Sequence, residues 1–214
     1  MSRIVIRAGG VLTPGGLLSD AGVIVSGGRI AQVAPNADLS ILPDDDVIYA
    51  SNRLVAPGFV NGHTHLYGML SHGITVETMV TEFSSFLEDF WWPYVENRVD
   101  HGLVRATSAY GMAELIDSGV TTFIDVLEAP NAIPGALETE REVAQEAGMR
   151  GILTFEACQR MSPENAELGL RENAEFVRAH SGKDALVTGM MSIHTLFTCD
   201  KSYVRRAKRL AAEL

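Results

Sequence analysis

Apolar positions in the first quarter of the chain come in short runs broken by turn residues. Ile4-Val5-Ile6, Ala21 to Val25, Arg29 to Val33 and Val47 to Ala50 read as strands. Thr13-Pro14-Gly15-Gly16, Ser26-Gly27-Gly28 and Pro43-Asp44-Asp45-Asp46 read as the connections between them. No helical period occurs before residue 75, so residues 1–56 are expected to form a small β-rich unit.

From Val55 the pattern becomes strand, loop, helix, repeated. Val55 to Val60 is a short apolar strand leading into His63 and His65. A helix is expected over about Thr75 to Trp92, with Met79, Phe83, Phe86, Leu87, Phe90 and Trp91 on one face and Pro93 as its stop or kink. Asp100 reads as the N-cap of a helix that runs to Asp117 and ends before Ser118-Gly119. Val120 to Val126 is nearly continuous in apolarity, as in a strand buried on both faces. There follow a helix over Leu137 to Ala147, a strand over Gly151 to Ala157, and a helix capped by Ser162 and running to about His180. A strand over Ala185 to Ile193 and a helix capped by Asp200 complete four units. Such alternation predicts an α/β fold with a parallel sheet, either a barrel or a doubly wound sheet. No Gly-x-Gly-x-x-Gly or phosphate-binding loop follows any strand, so a nucleotide-binding sheet is unsupported.

Polar residues gather at the C-terminal ends of these strands: His63 and His65, Asp125 and Glu128, Glu156, and His194. A (β/α)8 barrel carries its active site at that end. Side chains alternate along a strand, so His63 and His65 share a face, about 6–7 Å apart along it, and can converge on one metal ion. Zinc and iron both accept imidazole nitrogen.

Composition narrows the reading only a little. The chain has 214 residues, 46% of them hydrophobic and 21% charged, the balance of an ordinary globular protein. A net charge of −10 argues against a nucleic-acid partner. The lone cysteines Cys158 and Cys199 suggest neither a disulfide framework nor a thiolate metal site, and Cys158 reads as a small buried hydrophobe. The N-terminus has no signal-peptide core and no window suits a membrane span, so a cytoplasmic location is expected. Lys201, Arg205, Arg206, Lys208 and Arg209 read as the solvated face of the last helix, and His101 and His180 as surface residues.

Three strings carry a resemblance: Pro57-Gly58-Phe59-Val60-Asn61-Gly62-His63-Thr64-His65, Ser118-Gly119-Val120-Thr121-Thr122-Phe123-Ile124-Asp125, and Ser192-Ile193-His194-Thr195-Leu196-Phe197-Thr198-Cys199-Asp200. They resemble the amidohydrolase superfamily, in the branch of the methylthioadenosine/S-adenosylhomocysteine deaminases and triazine chlorohydrolases. The resemblance implies the N-terminal half of a (β/α)8 barrel, with residues 57–214 as its first four βα units. Residues 1–56 would be part of a β-sandwich completed from elsewhere in the polypeptide.

The resemblance makes His63 and His65 ligands of one divalent metal ion, zinc ahead of iron. It makes His194 a substrate contact. Glu96, in Trp92-Pro93-Tyr94-Val95-Glu96, resembles a ribose-binding glutamate but stands one residue further from its proline, which puts ribose recognition in doubt. The fourth strand has no lysine to bridge two metals, which favours a mononuclear site. The third histidine, the proton-shuttling glutamate and the metal-binding aspartate of the family come from strands beyond the fourth, so no catalytic residue is assigned within these residues.

The implied reaction is hydrolysis of a non-peptide carbon–nitrogen bond, the deamination of an aminated heterocycle by metal-activated water. The alternatives are dehalogenation or cyclic-amide hydrolysis on the same scaffold, or an inactive half-barrel serving binding or assembly. The expected partners are a small heterocyclic substrate and either a second copy or the missing C-terminal half.

Overall fold

The computed structural model describes residues 3–77, 79–182 and 185–214. These fall into two compact units, divided between Gly58 and Phe59.

The first unit is a five-stranded sheet. Its strands are β1 (Arg3–Thr13), β2 (Gly16–Ser19), β3 (Ala21–Ser26), β4 (Arg29–Pro35) and β5 (Asp46–Val55). The long β1 is its axis: β2 and β3 pair antiparallel with successive halves of one edge, and β5 runs parallel along the other. Val5, Ile24 and Leu39 form one small core, and Val11, Ala21 and Val23 another. Val55 ends β5, opposite Val11. The strand expected over Val55 to Val60 is therefore two strands of different units, parted at Ala56-Pro57-Gly58. Pro57 has no N–H to give a ladder, and the chain breaks there.

The second unit is a parallel sheet of β6 (Phe59–Thr64), β7 (Val120–Leu127), β8 (Arg150–Phe155) and β9 (Val187–Gly189). Strand order follows chain order. A doubly wound sheet reverses its order at a switch point, and no reversal occurs among these strands. The crossover helices α3 (His101–Asp117), α4 (Ala136–Glu146), α5 (Pro163–Ala179) and α6 (Lys201–Glu213) each pack on the next. The core between sheet and helices is built from residues such as Phe123, Leu127, Leu153, Phe155, Leu137 and Leu170. The cap residues act as their types imply: Asp100, Ser162 and Asp200 accept the amides of Leu103, Asn165 and Tyr203. Gly119 (φ 76°) and Gly148 (φ 69°) take the left-handed turns after α3 and α4.

Two elements differ from expectation. The first helix starts not at Thr75 but at Phe83, as α1 (Phe83–Ser85), a π-helical turn (Phe86–Trp91) and α2 (Trp92–Tyr94). Thr78 lies outside the described residues, and Met79, expected on the helix face, is 81% exposed. Thr75, Val76, Val80 and Thr81 are β-branched and lower helix propensity. Glu82 and Ser85 form a reciprocal cap that starts the helix instead. The π turn sits directly before Pro93, which has no N–H to continue an α ladder.

The fourth strand is also short. Only Val187–Gly189 pairs with β8, and beyond it a single bridge joins Ala157 to Ile193. Side chains take over where the ladder stops. Asn173 of α5 accepts the Phe155 amide at 2.7 Å and donates to the Phe155 carbonyl at 2.7 Å. Ser192 also donates to that carbonyl, at 2.9 Å, and accepts from Thr154 at 2.8 Å. Among the described residues β6 and β9 have no outer neighbour, and Phe59 and Val60 on β6 are 70% and 67% exposed.

Asn173 is fully buried. Asn173→Ala strands the Phe155 amide, while the Phe155 carbonyl keeps the Ser192 hydroxyl and the Ala157 amide. A urea unfolding series is expected to show a loss of about 1–3 kcal/mol, the cost of one buried backbone group left without a partner. A loss under about 0.5 kcal/mol, the size of an ordinary surface substitution, would remove Asn173 from the role of strand anchor.

Candidate functional site

His63 is the penultimate residue of β6 and His65 directly follows the strand, so both imidazoles reach the C-terminal end of the sheet. Their Nε2 atoms lie 3.1 Å apart. His65 Nδ1 lies 2.8 Å from the Val126 carbonyl oxygen on β7. A carbonyl only accepts, so Nδ1 carries the proton and Nε2 presents its lone pair. Asp125, the preceding residue of β7, accepts the Leu66 amide at 2.8 Å. Two consecutive residues of β7 thus hold the His65–Leu66 corner.

This donor pair fits a metal ion. Two ring nitrogens facing each other at 3.1 Å need a proton or a cation between them. Imidazole nitrogens bound to one zinc at about 2.0–2.1 Å stand roughly 3.0–3.4 Å apart for angles near tetrahedral. Two imidazoles are fewer than the three protein ligands usual for a catalytic zinc.

Beside the pair is a buried polar cluster. Tyr67 links them: its ring lies edge-on to His65 at 5.5 Å, and its hydroxyl donates to Glu96 at 3.1 Å. Glu96 sits in a short 3-10 turn (Glu96–Arg98) and is 1% exposed. Its other oxygen accepts from Arg160 at 3.0 Å, and the same Arg160 nitrogen donates to Glu128 at 2.9 Å. Arg160 also donates to Asn97 at 2.8 Å and lies over the Trp92 ring, 5.0 Å from its centroid. His194 Nδ1 lies 2.8 Å from a carboxylate oxygen of Glu156. One donor atom from each of Glu96, Glu156 and His194 falls within 4.8 Å of the others.

Two carboxylates on one guanidinium, with Glu156 beside them, leave excess negative charge out of water, which favours protonation of the acids. Burial, together with the neighbouring carboxylates, pushes Glu128 up to about 8. Burial likewise pushes Glu96 up to about 7, against the pull of Arg160. Burial disfavours the charged form of His194, but the Glu156 contact and the other carboxylates outweigh it and raise its pKa. A separate acid pair lies deeper. Asp125 and Glu140 of α4 are both fully buried, and Asp125 Oδ2 and both Glu140 oxygens meet no donor. Burial raises both, Asp125 to about 7, and the charge of Asp125 raises Glu140 further.

The structure thus brings His63 and His65 together, and Glu96 and His194 together through Glu156. Glu96 is not a solvated helix-end residue, since both of its oxygens are engaged in the interior. His101 is exposed as expected, but His180 is half-buried and pairs with Glu138 at 2.9 Å. Cys158 is 4% exposed and burial pushes its thiol up to about 12, which suits a hydrophobe rather than a nucleophile. Trp91 is half-buried, stacked on Phe86 with centroids 5.5 Å apart. Sequence reasoning missed Arg160 and Tyr67. Arg160 did carry a signal, being the one cation in the loop between Phe155 and the Ser162 cap.

The raised acids have a consequence for stability. An acid whose pKa is higher folded than unfolded favours the folded state while both forms are protonated, and loses that contribution as pH rises through the folded value. For Glu96 and Glu128 the window runs from the ordinary 4.5 to about 7 and about 8. Denaturant stability is expected to fall across it. Arg160→Met, which leaves two buried carboxylates without their partner, is expected to cost about 3–5 kcal/mol at pH 8 and less at pH 5. A pH-independent cost would overturn this account of the cluster.

The chain matches the amidohydrolase family model over residues 54–214. It is 28% identical over 193 residues to a 5-methylthioadenosine/S-adenosylhomocysteine deaminase of Carboxydothermus hydrogenoformans, a match covering 88% of this chain and 42% of the relative. The chain spans less than half the length of the curated relatives it matches. Among solved structures it superimposes on a triazine hydrolase from Arthobacter aurescens with a TM-score of 0.81 at 18% identity, covering all of this chain and 51% of the other. A guanine deaminase from Bradyrhizobium japonicum gives 0.80 at 18% identity, covering 100% and 48%. No described helix is long and apolar enough to cross a membrane. The match over residues 54–214 takes in both histidines, the carboxylate cluster and all four parallel strands, and it places this chain in the amidohydrolase family.

Proposed function

We propose that this chain contributes the first four βα units, residues 57–214, to the barrel of a metal-dependent hydrolase that deaminates an aminated heterocycle. Residues 1–56 belong in this reading to a composite β-sandwich subdomain. The observation that carries the reading is the His63/His65 pair. Their Nε2 atoms converge at 3.1 Å, with His65 locked by Val126 in the tautomer a metal requires. Zinc is the first candidate for the ion, since imidazole nitrogen suits it and the described chain offers no thiolate beside the pair.

A divalent ion held there would supply Lewis-acid activation of water at neutral pH. The chain's own residues do the rest. The Val126 carbonyl and Asp125 fix the corner that bears His65, so the ligand atoms need little rearrangement to meet the ion. His194 presents Nε2, buried and without a partner, as a contact for the heterocycle. Glu96, held by Tyr67 and Arg160, is in this reading the residue that reads polar groups on the substrate. The deaminase names of the relatives support an amino leaving group.

Four measurements test this. The 214 residues weigh 23.1 kDa, and the intact mass of the native polypeptide is expected near twice that; a mass of 23.1 kDa would sink the half-barrel reading unless a separate chain co-purifies. Elemental analysis of the native protein is expected to find about one zinc or iron per chain. His63→Ala/His65→Ala is expected to lower metal affinity by at least the 10–100-fold typical of lesser perturbations around a site. Ammonia release from aminated purines and pterins should be lost in that variant and return with neither metal. Chloride release from chlorotriazines with no ammonia from any aminated heterocycle would replace deamination by dehalogenation.

A further inference from the structure

The Glu156–His194 contact has a build that a passive ion pair would not need. The two residues leave adjacent parallel strands, and each backbone is fixed separately. The Glu156 amide donates to the Leu127 carbonyl at 2.8 Å, and the His194 amide to the Ala157 carbonyl at 3.1 Å. Asn173, Ser192 and Thr154 tie the segments just before them together. Thr195, directly after His194, takes a left-handed φ of 55°, which is rare for a β-branched residue and found where surrounding structure imposes it. With both ends held, the imidazole Nδ1 meets one Glu156 oxygen at 2.8 Å. The opposite ring nitrogen, Nε2, is buried and unpartnered, as is Glu156 Oε2.

We propose that Glu156 is a positioning residue for His194, holding the ring by Nδ1 so that the buried, unpartnered Nε2–H is the hydrogen-bond donor left for the substrate. The ligand class it selects is a heterocycle that presents a lone-pair acceptor, a ring nitrogen or an exocyclic oxygen, at that point. This rests on the reading of His194 as a substrate contact.

The charges around the ring decide against the other use of the same atoms, a second metal centre on Glu96, Glu156 and His194. Glu156, Glu128 and Glu96 all face His194 and favour the imidazolium, while burial opposes it, and the balance is a raised pKa. A metal there would have to displace the proton that these carboxylates favour on the ring. Glu96 is moreover already bound by Arg160, whose guanidinium would repel a second cation.

The test is Glu156→Gln in the native full-length protein. The amide keeps the shape and an acceptor but removes the charge. Nitrogen-15 NMR of the imidazoles is expected to show the His194 titration moving down by about 1–3 units, the usual effect of an opposite charge within contact. Nε2 should be the nitrogen that loses its proton. The alkaline limb of kcat/KM should move down by the same amount, with activity recovering at lower pH. Glu156→Asp, which keeps the charge, should restore most of the titration shift, and it serves if the glutamine variant does not fold. A His194 titration unchanged within about 0.3 units, or a loss of activity equal at every pH, would overturn the proposal. The NMR readout needs no turnover, so failure to find any deaminated substrate would count against the proposed function and leave the dyad separately decided.

Discussion

One guanidinium makes the interior of this site tenable. Arg160 contacts Glu96 and Glu128 with a single nitrogen and is itself nearly enclosed, under the ring of Trp92. Removing one partner from a buried ion pair typically costs about 3–5 kcal/mol, a large share of the marginal stability of a domain. Yet one positive charge cannot neutralise three carboxylates. The remainder is met by protons, on Glu96 and Glu128 near neutrality and on His194 beyond its ordinary range. Acids that exchange protons near neutrality are in the condition in which acid–base groups are useful.

Around that charge balance the scaffold fixes ring nitrogens. Both histidine contacts use one ring nitrogen to hold the side chain and leave the other facing outward. His65 is held by a neutral carbonyl, which leaves Nε2 as a lone pair. His194 is held by a carboxylate, which favours a charged ring with Nε2 as a donor. The partner that each Nδ1 meets thus differs in charge between the two imidazoles. The anchors lie on β7 and directly after β8, the two strands flanked on both sides, whereas β6 and β9 are edges among the described residues.

Most of the architecture was legible in the chain. The β-branched runs, the caps at Asp100, Ser162 and Asp200, and the glycines after α3 and α4 each act through neighbours within a few residues, so their physics is written locally. The first helix was misread because apolar spacing extended the pattern back to Thr75, whereas the Glu82–Ser85 cap and the β-branched residues before it set the start. The short β9 was misread because apolar content there serves packing, while Asn173, distant in sequence, supplies the hydrogen bonds that a ladder would have made.

The sequence by itself determined which residues could carry chemistry. The His-x-His spacing put two imidazoles on one face, and strand ends collected Asp125, Glu128, Glu156 and His194. Only the tertiary structure decided which atoms each side chain meets, because those partners lie far along the chain. Val126 lies 61 positions from His65, Arg160 lies 64 from Glu96, and Glu156 lies on a different strand from His194. Local sequence cannot encode the dielectric around a carboxylate or the atom opposite a ring nitrogen, and those two quantities set the chemistry.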